Sequence, residues 1–200
     1  PLPFAKGTFY DKRINQVVVP TIKGLKKDGI SYKGFLFFGL IKVKDDPYVI
    51  EYNCRLGDPE SEVVIPRLKS DILDLFEGVG TNTLSERDIQ FFDKSAATVM
   101  MVSGGYPKKY QKGKQIYGLN TIADSIVFHA GTSADGPSIK TEGGRVLAVT
   151  SYGRNIEKAL GDGKKIPSPS ELKNISAILI PSILEIKVSL HYWILLCVVI

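Results

Sequence analysis

Two apolar runs separated by a short polar turn limit what this chain can fold into more than any other feature. The first, GFLFFGLIKV at residues 34–43, is almost continuously apolar and rich in residues that favour strands. The second, YVIEYN at residues 48–53, follows after Asp45, Asp46 and Pro47. Aspartate and proline at such a connection are typical of a turn. The pattern predicts two adjacent core strands joined by a tight connection.

The second strand ends in polar residues that are expected to share one face. Side chains two positions apart on a strand point to the same side, which places Glu51 with Asn53 and turns Ile50 and Tyr52 the other way. A carboxylate and an amide oxygen suit Mg²⁺, which takes few protein ligands and completes its shell with water and phosphates. Arg55 would reach the same face if the strand continued, and its guanidinium could then pair with a phosphoryl or carboxylate group.

We interpret this end of the strand as a phosphate-handling site. The alternative that these residues alone leave open is an exposed polar strand face followed by a Gly-Asp-Pro turn.

Helices are expected before and after these strands in the sequence. Apolar residues at helical spacing predict one over residues 11–28, which Pro20 should kink or split. Asp58 is placed to cap a second helix with Pro59 at its first position. One face of a third helix is marked by Leu68, Ile72, Leu75 and Phe76.

The later part of the chain changes character. Residues 78–94 are polar and are interpreted as a linker or a poorly packed excursion. Three short strand patterns punctuated by glycine follow, namely AATVMMVSGG, DSIVFHAGT and GGRVLAVTS. These predict a small antiparallel sheet, with a short helix from Asn155. The fold class is therefore α+β, with boundaries that we place at residues 1–95, 96–160 and 161–200.

Composition and cysteine content narrow the class of protein. Two hundred residues with 44% hydrophobic and 24% charged content describe an ordinary globular chain. Cys54 and Cys197 are too few for a disulfide framework or a cysteine-based zinc site, which favours a reducing, cytoplasmic location. The chain opens at Pro1 with no signal-peptide pattern, and we interpret this start as an internal position in a longer protein.

The positive charge does not indicate a nucleic-acid partner. Much of the net charge of +5 lies in LKK at residues 25–27 and YPKKYQKGKQ at residues 106–115. No aromatic stacking platform or reading helix accompanies these runs, so we expect solvated turns and no nucleic-acid binding. A small substrate that carries phosphate remains compatible with the charge.

Three further features have modest interpretations. His129 has no cysteine or second histidine near it in sequence and is expected to be a packed, hydrogen-bonded residue. Cys54 alternates away from Asn53 and is expected to be a buried, inert thiol. The glycine-rich stretches VSGGYP and EGGRV match no phosphate-binding loop and are interpreted as strand-end turns.

Several motifs together resemble a known family. The stretch EYNCRLGDPE matches throughout the pattern Glu-(Phe/Tyr)-Asn-x-Arg-(Phe/Leu/Met)-Gly-Asp-Pro-Glu of the phosphoribosylamine–glycine ligases, also called glycinamide ribonucleotide synthetases, which are ATP-grasp enzymes. The other matches, in the family's order, are PTIKGLKKDG, YKGFLFFGLIKV, VSGGYP, YQKGKQIYGL, SIVFHAGT and GGRVLAVTS. The resemblance covers about residues 1–160. It implies the last part of an ATP-grasp domain to residue 95 and the family's small β-rich domain from residue 96.

The resemblance implies an ATP-dependent ligation of purine synthesis. ATP activates the carboxylate of glycine as an acyl phosphate, which the amine of 5-phosphoribosylamine attacks. Glu51 and Asn53 would then be ligands of Mg²⁺ or Mn²⁺ at the nucleotide phosphates. Arg55 would steady the transferring phosphoryl group, and Asp58 would help to hold the amino substrates.

Two departures from the family pattern matter. Many ATP-grasp enzymes carry another carboxylate on the preceding strand, where this chain has Gly39, so a site with two protein ligands is implied. The family's amino-terminal half, which supplies the adenine contacts, is expected as a partner, and this chain alone should not turn over.

The tail is a third departure. Residues 161–200 do not resemble the family's usual ending, and we interpret them first as the product of a frameshift or intron, with a fused unrelated segment or a membrane-associating end as alternatives. The apolar run at residues 188–200 is thirteen residues long and short of the roughly eighteen needed to span a bilayer. A competing functional class is a non-catalytic ATP-grasp remnant whose tail binds a partner or a membrane.

Overall fold

In the computed structural model, which describes residues 8–162, 175–179 and 192–199, the two apolar runs pair as an antiparallel hairpin. Its strands are β1 (Phe35–Val43) and β2 (Asp46–Asn53). The turn is tighter than predicted: it occupies residues 44–45, where Lys44 adopts a φ of 55°, and Asp46 already belongs to β2. A third strand, β10 (Tyr192–Val199), pairs with the other edge of β1. The central position of β1 explains why its apolar run is nearly continuous.

The helix predicted over residues 11–28 is split, as Pro20 suggested. It consists of α1 (Thr8–Arg13), a π-helical segment (Ile14–Val18) and α2 (Val19–Lys27), with Pro20 in the first turn of α2. The wider turn is visible in the bond from the amide of Val19 to the carbonyl of Ile14. The helix packs on one face of β1 through the buried residues Phe9, Val17, Val18, Leu36, Phe38 and Leu40.

The predicted helix cap at Asp58 is wrong. Residues 58–60 form a turn, and α3 (Ser61–Val64) begins only after Glu60, which makes no side-chain cap. The helix thus begins two residues later than predicted, and the Asp58 carboxylate bonds to Arg145 through Oδ2. A 3₁₀ turn (Ile65–Arg67) follows α3.

The first half of residues 78–94 is folded, in contrast to the linker that its polarity suggested, whereas residues 88–94 lie outside the helices and named strands and are exposed, as a poorly packed excursion would be. Helix α4 (Ile72–Thr81) is capped by Asp71, whose side chain accepts from the amide of Leu73 at 2.8 Å. A 3₁₀ turn (Leu84–Glu86) then leads back along α4, where Arg87 pairs with Asp74 at 2.9 Å. Polar side chains here make specific contacts, which composition alone does not reveal.

The strands after residue 95 form two antiparallel sheets. The larger has the order β5 (Ser125–His129), β8 (Arg145–Gly153), β3 (Ser95–Ser103) and β9 (Ile175–Leu179). The smaller has the order β4 (Gln115–Ile116), β7 (Ser138–Thr141) and β6 (Thr132–Asp135). Helix α5 (Ile156–Asp162) follows, with Asn155 accepting from the amide of Lys158 at 2.9 Å. The three glycine-punctuated strands and the final helix are therefore as predicted.

Contacts along the chain divide the described residues into two units. The first contains the described residues of Pro1–Gly57, Ser70–Gln90 and Ile183–Ile200, and the second those of Asp58–Lys69 and Phe91–Ser182. Both contain helices and antiparallel sheet, which confirms the α+β class.

Of the tail at residues 161–200, the structure describes the end of α5 and the strands β9 and β10; the rest of that prediction lies outside the described residues. Among the parts of the chain that are described, no helix is both long and apolar enough to cross a membrane.

A buried pair of hydroxyl groups attaches α3 to the larger sheet. Thr98 and Thr150 face each other across β3 and β8 at 2.6 Å, and both are almost completely buried. The carbonyl of Glu62 accepts from Thr150 at 2.7 Å and from Thr98 at 3.4 Å. Since buried hydroxyl groups need partners, this carbonyl fixes where α3 lies on the sheet.

The side chain of Glu62 is less well accommodated than its carbonyl. Its Oε2 atom is buried and has no hydrogen-bond partner in the described structure. Burial raises the pKa of the Glu62 carboxyl, and the charges of Asp58 and Glu60 raise it further; a backbone hydrogen bond and the charge of Arg145 act in the opposite direction. Folding therefore favours protonated Glu62, a contribution that is present below the unfolded pKa and is lost as the pH rises through the folded pKa.

We expect Glu62→Gln to stabilise the protein at pH 7, because glutamine is uncharged at every pH. The melting temperature should rise by about 1–3 °C, and the gain over the parent should disappear near pH 4. Thermal unfolding followed by circular dichroism at both pH values measures this. Glu86→Gln, at an exposed position, is the control. A Glu62→Gln protein that is less stable than the parent at pH 7 would contradict the expectation.

We also expect Gly131→Ala to destabilise the second unit by about 2 kcal/mol. A Cβ at residue 131 would lie 2.6 Å from the Cα of Gly143 and would collide with the carbonyl of Arg145, so backbone would have to move. The matched control is Gly24→Ala in α2, where a Cβ meets nothing within 4 Å and should preserve or increase stability. Urea titrations of both variants test the difference.

Candidate functional site

The side chains of Glu51 and Asn53 lie side by side at the end of β2. The amide Nδ2 of Asn53 donates to Oε1 of Glu51 at 3.2 Å. Tyr52, between them in sequence, turns to the opposite face and packs edge-on against Phe38 with ring centroids 5.3 Å apart. Glu51 is exposed and Asn53 half-buried, so both are open to solvent. The alternation of the strand thus brings together the two residues that were predicted to share a face.

Gly39 provides the space that the Glu51 side chain occupies. The two residues are partners across β1 and β2, and a Cβ at residue 39 would lie 2.8 Å from Cγ of Glu51. The register shifts directly beside this pair, because Leu40 is opposite Val49 and leaves Ile50 as an extra residue in β2. Gly39 occupies the position at which many ATP-grasp enzymes were expected to carry another carboxylate. In this chain, the absence of a side chain there makes room for Glu51.

Arg55 does not continue the strand face. Strand β2 ends at Asn53, and Arg55 lies in a bend after it, exposed to solvent. Its Nη1 donates to the carbonyl of Leu56 at 2.8 Å, so the guanidinium turns along its own segment of chain. Arg55 was expected on the face of Glu51 only if the strand continued, and that condition is not met, because β2 ends at Asn53.

Asp58 belongs to the second unit and is bound by Arg145. Nη2 of Arg145 donates to Oδ2 of Asp58 at 3.0 Å, and Nη1 donates to the carbonyl oxygen of Asp58, also at 3.0 Å. The two side chains remain 36% and 52% exposed, so a ligand can still reach the carboxylate. Sequence reasoning missed Arg145, although its motif GGRVLAVTS places a charged residue at the start of a buried strand.

The structure contradicts the prediction for Cys54, contradicts part of the one for His129 and agrees with the one for the glycine-rich turn. Cys54 is exposed, which contradicts the prediction of a buried thiol and follows from the end of β2 at Asn53. His129 is also exposed, where a packed residue was expected, but it does hydrogen-bond, through Nδ1 to Oγ1 of Thr132 at 3.0 Å. The glycines of VSGGYP lie in a turn after β3, as predicted.

The donor set at Glu51 and Asn53 fits a hard divalent cation. It offers carboxylate and amide oxygens on one strand face, and the missing Cβ of Gly39 leaves room for the carboxylate. Within the described ranges, no group of three or more His, Cys, Asp or Glu residues gathers as a metal site. Glu51 and Asn53 would offer such a cation two protein ligands, a number that Mg²⁺ often takes from a protein.

Comparison with known proteins gives these residues a context. The curated phosphoribosylamine–glycine ligase of Fusobacterium nucleatum is 38% identical over 169 residues, which are 82% of this chain and 40% of that protein. The ligase of Chlorobaculum tepidum is 42% identical over 163 residues, 80% of this chain and 38% of that protein. The crystal structure of the phosphoribosylamine–glycine ligase from Thermotoga maritima matches with a TM-score of 0.66 at 28% identity, covering 86% of this chain and 43% of that one. This chain therefore spans about two fifths of the length of the relatives it matches.

Two family models divide the chain between them. Residues 1–61 match the ATP-grasp (A) domain of phosphoribosylglycinamide synthetase, and residues 96–172 match its C domain. The C-domain match extends twelve residues past residue 160, at which the resemblance was expected to end. Together the two matches cover more than half of the sequence, with the domains in one order and from one enzyme family. The chain belongs to the phosphoribosylglycinamide synthetase family, whose members are carbon–nitrogen ligases of the ATP-grasp class.

Proposed function

We propose that this chain supplies the metal ligands and part of the substrate site of a phosphoribosylamine–glycine ligase. The observation that carries the proposal is the pairing of Glu51 with Asn53 opposite Gly39, in a chain of this family. The reaction joins glycine to 5-phosphoribosylamine and forms glycinamide ribonucleotide, ADP and phosphate, as a step of purine synthesis.

The proposed chemistry has two stages. A carboxylate oxygen of glycine attacks the γ-phosphorus of ATP, the bond to the bridging oxygen breaks, and ADP leaves with glycyl phosphate formed. The amine of 5-phosphoribosylamine then attacks the acyl carbon, phosphate departs with its bonding electrons, and the new amide loses a proton. Little covalent work falls to the protein, so positioning and charge neutralisation are its main tasks.

Glu51 and Asn53 are the residues that would hold Mg²⁺ or Mn²⁺. The second carboxylate oxygen of Glu51 and Oδ1 of Asn53 are suited to ligation, because Nδ2 and Oε1 already bond to each other. A cation held by these two residues would supply positive charge that neutralises and aligns the phosphates of the nucleotide. The negative charge of the Glu51 carboxylate also favours binding of a cation at this strand end and disfavours binding of an anion.

Arg55 and Asp58 have different tasks. The Arg55 guanidinium is exposed and permanently charged, and among the described residues it bonds to the carbonyl of Leu56, so it can turn towards the transferring phosphoryl group. Asp58 carries a negative charge on an exposed carboxylate, which suits a protonated or hydrogen-bonding amine. We therefore assign Arg55 to the phosphoryl group and Asp58 to the amino substrates.

The remaining contacts come from outside this chain. Because the chain spans about two fifths of its relatives, we assign the adenine pocket and the further phosphate contacts to the other part of the enzyme. ATP, glycine and 5-phosphoribosylamine are the small-molecule partners of the assembled site.

A chimera tests the proposal most directly. The segment of the Chlorobaculum tepidum ligase that aligns with this chain is replaced by this chain's own residues, and ADP release is measured with glycine and 5-phosphoribosylamine. We expect activity, and we expect Glu51→Gln to lower kcat by about a hundredfold or more, because a neutral amide is a weaker cation ligand than a carboxylate. Glu142→Gln, which removes an exposed ion pair, is the control. Full activity of Glu51→Gln would overturn the metal assignment.

Gly39→Ala tests the same site from the opposite strand. The added methyl group should displace the Glu51 side chain and raise the Mn²⁺ concentration needed for half-maximal activity of the chimera by about tenfold, since loss of one good ligand contact is of that order. Mn²⁺ binding to the full chain, followed by electron paramagnetic resonance, gives a readout that does not need activity. Gly24→Ala is the matched control, and equal affinities in the two variants would contradict the role of Gly39.

A further inference from the structure

We propose that Arg145 is a positioning residue that orients the Asp58 carboxylate for the amino substrate. The inference rests on the proposed function, in which Asp58 holds an amine. All the contacts that support it lie within the second unit.

Arg145 grips Asp58 at two atoms of different kinds. One guanidinium nitrogen binds the carboxylate oxygen Oδ2 and the other binds the backbone carbonyl, both at 3.0 Å. A fork that holds side chain and backbone of one residue restricts rotation of that side chain. The fork bonds to Oδ2 and leaves Oδ1 without a bond to Arg145.

The backbone at Arg145 is itself fixed by hydrogen bonds to neighbouring segments. Arg145 is the first residue of β8, and its carbonyl accepts from the amide of Gly131 at 2.8 Å. The preceding Gly144 accepts from the amide of Ser103 at 2.8 Å, and Gly143 accepts from the Ser103 hydroxyl at the same distance. The guanidinium therefore extends from a strand end that has little freedom to move.

The other side of the contact is anchored to the same sheet. Asp58 lies four residues before Glu62, whose carbonyl is held by Thr98 and Thr150. Further along the segment, the hydroxyl of Tyr152 on β8 donates to the carbonyl of Pro66 at 2.7 Å. With both ends attached to one sheet, the Arg145 to Asp58 contact is preorganised, which is what a substrate-holding carboxylate needs.

Stability alone does not account for this pair. Both side chains are at least one third exposed, and ion pairs of that kind contribute about 1 kcal/mol or less. The geometry, with two parallel donors on one residue, is more specific than such a small gain requires. The larger effect is on where the carboxylate points.

A double-mutant cycle in the active chimera tests the proposal. The variants are Asp58→Asn, Arg145→Gln and the two combined, with KM measured separately for glycine and for 5-phosphoribosylamine. Asp58→Asn should raise the KM of one of the two amino substrates. Arg145→Gln should raise the KM of that same substrate by about tenfold, with a smaller change in kcat, because a charged hydrogen bond is lost. If Arg145 acts through Asp58, the double variant should match Asp58→Asn alone.

Conservative replacement and matched controls complete the design. Arg145→Lys should restore part of the loss, since lysine keeps the charge but cannot make the fork. Lys112→Gln, which removes an exposed ion pair with Glu142 in the same unit, should change no KM. If the two KM increases multiply in the double variant, the positioning role is overturned, because Arg145 would then act on the substrate independently of Asp58. A chimera that is inactive with both native residues would instead overturn the proposed function itself.

An exchange measurement on the full chain checks the geometry without activity. The amides of Glu62 and Val63 donate to the carbonyls of Pro59 and Glu60 in the turn that Arg145 holds. Arg145→Gln should speed their hydrogen exchange by about tenfold, and Lys112→Gln should leave it unchanged. Unchanged exchange in Arg145→Gln would show that the turn is held without Arg145, which contradicts the proposal.

Discussion

The attachment of the Asp58–Glu62 segment to the larger sheet depends on two hydroxyl groups buried between β3 and β8. Thr98 and Thr150 have no solvent to bond to, so each must find a partner inside the protein: Thr150 donates to the carbonyl of Glu62 at 2.7 Å, and Thr98 lies 2.6 Å from Thr150 and 3.4 Å from that carbonyl. Loss of such a partner costs about 1–3 kcal/mol, which is large beside the marginal stability of a domain. The buried threonines therefore fix Glu62 on the sheet, and Arg145 at the start of β8 holds the turn that carries Asp58, four residues earlier.

A steric constraint has the same role in the first unit. Residues 36–40 of β1 are buried, and Gly39 among them is the cross-strand partner of Glu51, whose side chain lies over the glycine backbone while remaining exposed to solvent. The Glu51 side chain uses that space, and the extra residue Ile50 beside it marks the end of regular pairing. The position of the Glu51 carboxylate thus depends on the absence of a Cβ at Gly39.

Much of this arrangement was predictable from short-range patterns. Strand alternation placed Glu51 with Asn53, Pro20 indicated the split helix, and glycine-punctuated runs located the later strands, because each depends on residues that are neighbours in sequence. The predictions failed where a distant residue decides the outcome. Asp58 has all the features of a helix cap, but Arg145, 87 positions away, binds it instead. Cys54 and Arg55 were assigned by extending a strand that ends at Asn53.

The two proposed groups of functional residues differ in how they are held, and this difference bears on their tasks. Glu51 and Asn53 bond to each other on a face open to solvent, where a cation could exchange its waters for their oxygens. Asp58 is held by a fork from a rigid strand end before any substrate arrives. A metal can draw two flexible ligands together through its own charge, whereas an amine that forms one or two hydrogen bonds cannot supply that energy. A carboxylate that binds an amine therefore needs its orientation fixed in advance, and Arg145 provides it.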